Sequence, residues 1–272
     1  MHGLGNDFMV IDATRTAFSL TTEQITRLAD RHFGIGFDQL LLVEPAANSD
    51  VDFTYRIFNA DGGEVEQCGN GARCFALYVR HKGLTDKSTI TVATAAGTLV
   101  LTVDDQDCVR VNMGVPVFQP ADIPLNMDQQ QPRYTIDLNN QTIEFGAVSL
   151  GNPHAVIEVD NVDTCDIETL GPLLESLPLF PQRVNVGFMQ IISDDHIRLR
   201  VFERGSGETL ACGSGACAAA VIANLWQKCG KNIKVSLPGG DLEVYLNEQQ
   251  DHNGAVFLNG PASFVFEGEL QL

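Results

Sequence analysis

The chain carries one stretch of sequence twice. Arg56 to Ala72 (RIFNADGGEVEQCGNGA) aligns without a gap to Arg200 to Ala216 (RVFERGSGETLACGSGA), a shift of 144 residues. Eight of the seventeen positions are identical, among them Phe58/Phe202, Glu64/Glu208 and Cys68/Cys212. Upstream, Gly5-Asn6 and Val10-Ile11 match Gly151-Asn152 and Val156-Ile157 at a shift of 146. Downstream, Ile90, Val92, Gly97 and Leu99 match Ile233, Val235, Gly240 and Leu242 at a shift of 143. A near-constant offset over so long a stretch marks a duplicated structural unit. The two halves should therefore share one fold and be related by a pseudo-twofold axis.

Each half reads mainly as strands. Val51 to Phe58, Thr89 to Ala93, Gly97 to Val103 and Val109 to Asn112 are rich in β-branched residues and bounded by turn residues; Ala155 to Val159, His196 to Phe202, Ile233 to Leu237 and Leu242 to Leu246 repeat the pattern. After each Cys-Gly-x-Gly the pattern changes to helix. Ala216 to Ala223 is apolar on every side, as expected of a helix buried all round, and Ala72 to Val79 is similar apart from Arg73. A surface helix is expected over Thr22 to Arg31, with Thr21 or Thr22 as its N-cap. The fold class that follows is α+β: two pseudo-symmetric repeated domains, each a curved, mostly antiparallel sheet wrapped around a central helix, with the active site in the cleft between them. The boundary is expected near Val115 to Asp122, where Pro116 and Pro120 interrupt the pattern. This gives repeats over 1–115 and 116–258, with a C-terminal strand over about 259–272 returning to the first repeat.

Composition narrows the function. With 44% apolar and 19% charged residues the chain is globular rather than disordered. Seventeen basic residues against 35 acidic ones leave a net charge of −18, which disfavours nucleic acid and anionic membranes as partners. No apolar stretch reaches the roughly 18 residues a membrane span needs, and no secretory signal is recognised at the start. Seven cysteines, at positions 68, 74, 108, 165, 212, 217 and 229, without Cys-x-x-Cys spacing, argue against a disulfide scaffold or a metal site. The expected compartment is a reducing cytoplasm, in which a thiol can serve as a reagent.

A Cys-Gly-x-Gly-Ala opening a helix has specific physics. The glycines allow a tight turn and close approach of a ligand. The first helical turn leaves unpaired N–H groups at the positive end of the dipole, which lowers a thiol pKa and attracts a carboxylate. One such turn is more often structural, and a lone cysteine is more often a small core residue. Two related by a pseudo-twofold would clamp one carboxylate from both sides, with a sulfur on each face of the attached carbon. That suits inversion of a stereocentre by Cys68 and Cys212, one removing a proton and the other returning one. The resting pair is expected as one thiolate and one thiol, because two anions beside a carboxylate repel. Cys74 and Cys217 lie on the buried helices and read as core; Cys108, Cys165 and Cys229 carry no motif.

These residues closely resemble diaminopimelate epimerase, a pyridoxal-independent family of lysine and peptidoglycan precursor synthesis. The matching segments are His2-Gly-Leu-Gly-Asn-Asp-Phe8, Phe37-Asp-Gln39, Phe58-Asn-Ala-Asp61, Glu66-Gln-Cys-Gly-Asn-Gly-Ala-Arg-Cys74, Gly151-Asn-Pro-His154, Val184-Asn-Val186, Glu203-Arg204 and Cys212-Gly-Ser-Gly-Ala-Cys217. Proline racemases share the fold and the cysteine pair with different surrounding motifs, and phenazine-biosynthesis relatives lack the pair. The resemblance implies interconversion of LL- and meso-diaminopimelate, with no cofactor and no metal, in a homodimer. It implies that backbone at Gly69, Asn70, Gly213 and Ser214 holds the reacting carboxylate. Asn59, Asn152, Asn185 and Arg204 would hold the distal end, and Glu203 with Asn6 and Gln39 would face the reacting amino group. His154 and Glu203 would set the protonation of their neighbouring cysteines. Family members carry a few residues of a first strand before the His-Gly-Leu-Gly-Asn segment, whereas Met1 precedes His2 directly here: either the protein starts further upstream or the strand is missing, and a missing strand would shorten the first edge. Two other readings remain: a racemase of the same fold acting on another amino acid such as proline or hydroxyproline, and a silent amino-acid-binding protein, which would not need both thiols.

Overall fold

The computed structural model describes residues 1–65, 68–95, 97–138, 141–246 and 254–270. Glu66 and Gln67 of the first cysteine motif lie outside the described residues. The chain divides into two units, Met1–Val111 with Gly260–Leu272, and Asn112–Asn259.

The first unit contains β1 (His2–Gly3), β2 (Asn6–Asp12), α1 (Thr22–Ala29), β3 (Gln39–Pro45), β4 (Phe53–Asn59), β5 (Glu64–Val65), α2 (Gly69–His81), β6 (Thr89–Thr94), β7 (Gly97–Val103) and β8 (Val109–Asn112). The second opens with a short 3-10 turn, Pro120–Asp122, and two strands, β9 (Tyr134–Leu138) and β10 (Gln141–Ser149). It then repeats the order of the first: β11 (Pro153–Glu158), α3 (Ile167–Glu175), β12 (Asn185–Ser193), β13 (His196–Glu203), β14 (Gly207–Thr209), α4 (Gly213–Leu225), β15 (Asn232–Leu237), β16 (Gly240–Leu246) and β17 (Val256–Gly260). No helix among the described residues is long and apolar enough to cross a membrane.

The strand register repeats with the sequence. Phe8 faces Gln39 across β2–β3, and His154 faces Asn185 across β11–β12. Phe58 pairs with Glu64 and Phe202 with Glu208 in the hairpins that lead to the two cysteines. Val92 pairs with Leu99 and Val235 with Leu242 further on.

The sheets are mostly antiparallel, as expected, with two parallel pairings in each unit. β2–β3 and β4–β6 are parallel in the first unit, as are β11–β12 and β13–β15 in the second. The cause is the helices: α1, α2, α3 and α4 each lie in a crossover, and a helical crossover returns the chain parallel to the strand it left. Thr21 caps α1 with a full capping box, in which Gln24 N–H donates to Thr21 Oγ1 and Gln24 Oε1 accepts from Thr21 N–H. Sequence periodicity does not announce α3, whose Gly171 and Pro172 are poor helix formers. Its place is set by packing, since Gly171 lies so close to Phe202 that a Cβ there would sit 2.5 Å from the ring.

The two cysteine-capped helices are enclosed by their own strands. In α2, Gly69 to Leu77 and Val79 are buried, and Phe75 meets Tyr55 and Phe53 at ring-centroid distances of 5.2 and 6.0 Å. In α4, every residue from Gly215 to Ala223 is buried, against β10, β11, β12, β13, β15 and β16. After Gly260 the chain returns to the first unit, where Ser263 bridges His2. Phe264 then stacks on Tyr78 and lies 4.3 Å from the His81 ring. β1 is only two residues long, joined to β2 by a turn with Leu4 at φ 55° and Gly5 at φ 91°. Gly151 at φ 88° makes the corresponding turn before β11, so Asn6 and Asn152 each follow a left-handed glycine.

Gly146 in β10 lies close against α4: a Cβ there would lie 2.7 Å from Ile222 Cγ2 and 2.8 Å from Cδ1. Ile222 is wholly buried and has nowhere to turn. Gly146→Ala should destabilise the protein by about 1–3 kcal/mol in urea unfolding. Combining it with Ile222→Ala should cost less than the two single losses added, because the second change removes the clash. Strict additivity would contradict this packing.

Candidate functional site

Each cysteine is the N-cap of a buried helix and sits in extended backbone, Cys68 at φ −143°, ψ 117° and Cys212 at φ −124°, ψ 111°. The first internal helix bonds are the same in both, Ala72 N–H to Cys68 O and Ala216 N–H to Cys212 O, each 2.9 Å. The turn before each cysteine is held by a two-pronged ion pair within its hairpin. Arg56 Nε and Nη2 meet the Glu64 carboxylate at 2.7 and 2.9 Å; Arg200 Nε and Nη2 meet Glu208 at 2.6 and 2.7 Å. The hydrogen bonds to Arg56 hold the Glu64 carboxyl below the usual range against a smaller upward push from burial.

Around Cys68 the first unit gathers Asn6 and Asn70. Asn6 Oδ1 lies 3.8 Å from Cys68 Sγ and accepts from Asn70 Nδ2 at 3.2 Å. Tyr55 Oη donates to the Cys68 carbonyl at 3.4 Å from below the turn. Gln39 and Asn59 are directly opposed across β3–β4, and Gln39 Nε2 donates to Asn59 Oδ1 at 2.9 Å. They form one amide pair, although the resemblance assigns them to opposite ends of a ligand. Strand register explains it, since opposed residues share a face.

The second unit builds the equivalent place with different chemistry. Cys212 Sγ accepts from Gly215 N–H at 3.4 Å, lies 3.6 Å from Ser214 Oγ, and donates to Glu203 Oε2 at 3.2 Å. Thr209 Oγ1 holds the other Glu203 oxygen at 2.5 Å. Burial, and then the Glu203 charge, push the Cys212 thiol well above its usual pKa, against the hydrogen bonds from Ser214 and Gly215. The expected lowering by the helix terminus is therefore reversed here, because a buried sulfur beside a carboxylate loses more from desolvation and repulsion than the first turn returns. Cys212 rests as a thiol.

Asn152 gives its Nδ2 to Ser214 Oγ at 3.3 Å and its Oδ1 to His154 Nε2 at 3.0 Å. His154 is buried, and burial, with the Arg204 charge second, lowers its pKa to about 3. It is a neutral imidazole that reaches the cysteine turn through Asn152, while the partners of Cys212 are Glu203, Ser214 and Gly215. Asn185 is buried and ties β12 to β11 and to the turn after β13: its Nδ2 donates to Pro153 O at 2.9 Å, and its Oδ1 accepts from Arg204 N–H at 3.0 Å. The Arg204 side chain is exposed and donates to Gln182 O at 3.1 Å. Gly69 and Gly213 are buried at the first helical positions, where backbone N–H groups fall outside the helical ladder. Among the described residues no group of three His, Cys, Asp or Glu side chains is placed to hold a metal ion.

Sequence reasoning passed over Thr209, Asp38 and Arg73. Asp38 lies within the quoted Phe37-Asp-Gln39 segment, and Arg73 is the one charge in the otherwise apolar stretch Ala72 to Val79, which was the available signal. Arg73 is wholly buried and donates to Asn70 Oδ1 at 3.0 Å.

The state of His154 has a measurable consequence. The folded ring resists protonation down to about pH 3, while the unfolded ring takes up a proton near 6.5, so the unfolded state binds more protons between these values. Stability tied to His154 is full above pH 6.5 and is lost as the pH falls toward 3, at up to about 1.4 kcal/mol per pH unit. His154→Phe, which copies the equivalent Phe8, should flatten the fall in unfolding free energy between pH 6 and 4 by about that slope. Parallel curves for the two proteins would place the imidazole elsewhere.

Many solved structures match in fold, among them the following three. A phenazine biosynthesis protein of the PhzF family from Bacillus anthracis aligns with TM-score 0.69 and 19% identity, over 100% of this chain and 95% of its own. A probable proline racemase from Agrobacterium radiobacter, with bound carbonate, gives 0.69 and 19% over 100% and 91%. A hydroxyproline epimerase from Agrobacterium vitis, with bound trans-4-hydroxy-L-proline, gives 0.66 and 14% over 96% and 87%. Family and fold together indicate an enzyme of the epimerase and isomerase class. Residues 1–119 and 146–265 match the family described as Diaminopimelate epimerase, and the chain belongs to that family.

Proposed function

We propose that the protein interconverts LL- and meso-diaminopimelate by moving a proton at one α-carbon between Cys68 and Cys212. The observation that carries this reading is the duplication of one constellation: a cysteine N-cap, the residue two places on, and an asparagine bonded to that residue. It occurs as Cys68, Asn70 and Asn6 in one unit and as Cys212, Ser214 and Asn152 in the other. A binding protein needs only the carboxylate clamp, whereas inversion needs an acid and a base on opposite faces of one carbon.

In this mechanism the first-turn amides of Gly69, Asn70, Gly213 and Ser214 receive the substrate carboxylate. The α-ammonium lies between Glu203 and Asn6. A cation beside Glu203 offsets the charge that, after burial, raises the Cys212 thiol, so bound substrate lowers the cost of forming that thiolate. One thiolate takes the α-proton; the carbanion is stabilised through the clamped carboxylate; the opposite thiol then delivers its proton and becomes the thiolate. Reversal runs the same path from the other isomer. Arg204 and the amides of Asn59, Asn152 and Asn185 favour a substrate with a second polar end, with Arg204 making a charge-assisted contact to the distal carboxylate. A proline or hydroxyproline racemase is the second reading, suggested by the folds of two of the matched structures.

A panel of LL-diaminopimelate, proline and 4-hydroxyproline separates these readings, with epimerisation expected for the first alone. Cys68→Ala and Cys212→Ala should each lose nearly all epimerisation, since each removes the donor and acceptor for one face. Cys68→Ser and Cys212→Ser should act on opposite isomers of a halogenated analogue that eliminates from the carbanion. A single variant that epimerised both isomers at the wild-type rate would remove that residue from the mechanism, and turnover of proline but not diaminopimelate would replace the substrate.

A further inference from the structure

A file of polar side chains runs past Cys68 in the first unit, and its direction is fixed at both ends. At one end is Arg73, on α2. Its Nη2 donates to Asn70 Oδ1 at 3.0 Å, its Nη1 to Gly69 O at 3.4 Å, and its Nε to Pro261 O at 3.2 Å. A guanidinium only donates, so Asn70 must turn its oxygen to Arg73 and its nitrogen to Asn6. At the other end is Asp38, whose Oδ2 accepts from Asn6 Nδ2 at 3.0 Å and from Asp7 N–H at 3.1 Å, while Arg31 holds its Oδ1 at 2.7 Å. A carboxylate only accepts, so Asn6 must turn its nitrogen to Asp38. Both constraints agree on one outcome: Asn6 Oδ1 faces Asn70 and Cys68.

The second unit does the reverse. Asn152 turns its nitrogen to Ser214 and its oxygen to His154. At the positions equivalent to Asp38, Asn70 and Arg73 stand Val184, Ser214 and Cys217. The repeat is thus broken at the three side chains that set amide polarity in the first unit, beside cysteines that are themselves equivalent.

We propose that Arg73 and Asp38 are positioning residues that, through Asn70 and Asn6, keep the Asn6 carbonyl oxygen rather than its nitrogen against Cys68. An oxygen there accepts from a thiol or from a substrate ammonium. A flipped amide would put N–H groups on the sulfur, favouring thiolate, and would repel the ammonium. The kinetic consequence rests on the proposed epimerase reading; the amide polarity does not.

The test uses the full-length protein with Asp38→Asn, Arg73→Met and Arg73→Lys. The first is nearly isosteric at a half-exposed position and carries the test should Arg73→Met fail to fold; lysine keeps a donor-only cation. Three readouts apply: the side-chain amide signals of Asn6 and Asn70 in 15N–1H NMR, site-resolved alkylation of Cys68 against Cys212 by iodoacetamide, and kcat/KM. In Asp38→Asn and Arg73→Met the Asn6 signals should move and Cys68 should alkylate about threefold faster or more, with Cys212 unchanged. Their kcat/KM should fall about tenfold, and Arg73→Lys should recover most of it. Unmoved Asn6 signals with unchanged Cys68 alkylation in Asp38→Asn, or Arg73→Met behaving as Arg73→Lys, would overturn the proposal. A wild-type protein that turned over no amino acid would defeat the epimerase reading and leave NMR and alkylation to decide this one.

Discussion

Each unit is organised about a helix that its strands enclose over most of its length. A helix so enclosed cannot carry large side chains where strands approach closely, which is why α4 runs as Ala216-Cys217-Ala218-Ala219-Ala220 and why β10 brings a glycine against Ile222. The strands of the unit cover the sides of the helix, and a cysteine closes its start. The other residues of the candidate site are placed relative to that start by short elements: a left-handed glycine turn before Asn6 and Asn152, and a two-pronged ion pair behind each cysteine hairpin.

The repeat and the apolar helices were legible because both are patterns of residue type. Gly97–Val103 and Val109–Asn112 have the bounds that alternation and turn residues suggest, and α1 is capped by one of the two threonines the sequence offered. What escaped was set by packing or by electrostatics. α3 contains a glycine and a proline, so propensity argues against it, and the approach of Phe202 decides. Parallel pairing follows from crossovers whose helices had not all been recognised. The thiol state of Cys212 turns first on its burial and then on a carboxylate nine residues away in sequence and 3.2 Å away in space. The role of Arg73 turns on Asn70 and on Pro261, the latter 188 residues distant. The sequence gives no sign of such a meeting.

Duplication supplied two similar halves whose cysteines have different surroundings. Cys68 faces an amide oxygen, while Cys212 faces a carboxylate and a hydroxyl. Equivalent positions 59 and 203 hold Asn and Glu, and equivalent positions 8 and 154 hold Phe and His. Each difference changes which proton is held and by what. A carboxylate beside one thiol makes its ionisation responsive to a bound cation, while an amide oxygen beside the other makes it a hydrogen-bond donor. The backbone frame of the two sites is shared, and their polarity is not.

The claim at the centre of this account is that two thiols work on opposite faces of one carbon. It is tested most directly by following LL-diaminopimelate with the enzyme in deuterium oxide at low conversion, by NMR and mass spectrometry. Two-base transfer predicts that the meso product carries solvent deuterium at the inverted carbon while the remaining LL substrate stays unlabelled, because the delivering thiol exchanges with solvent and the abstracting one does not return its proton to that face. Product that retained the α-hydrogen, or LL substrate labelled as fast as product formed, would contradict it.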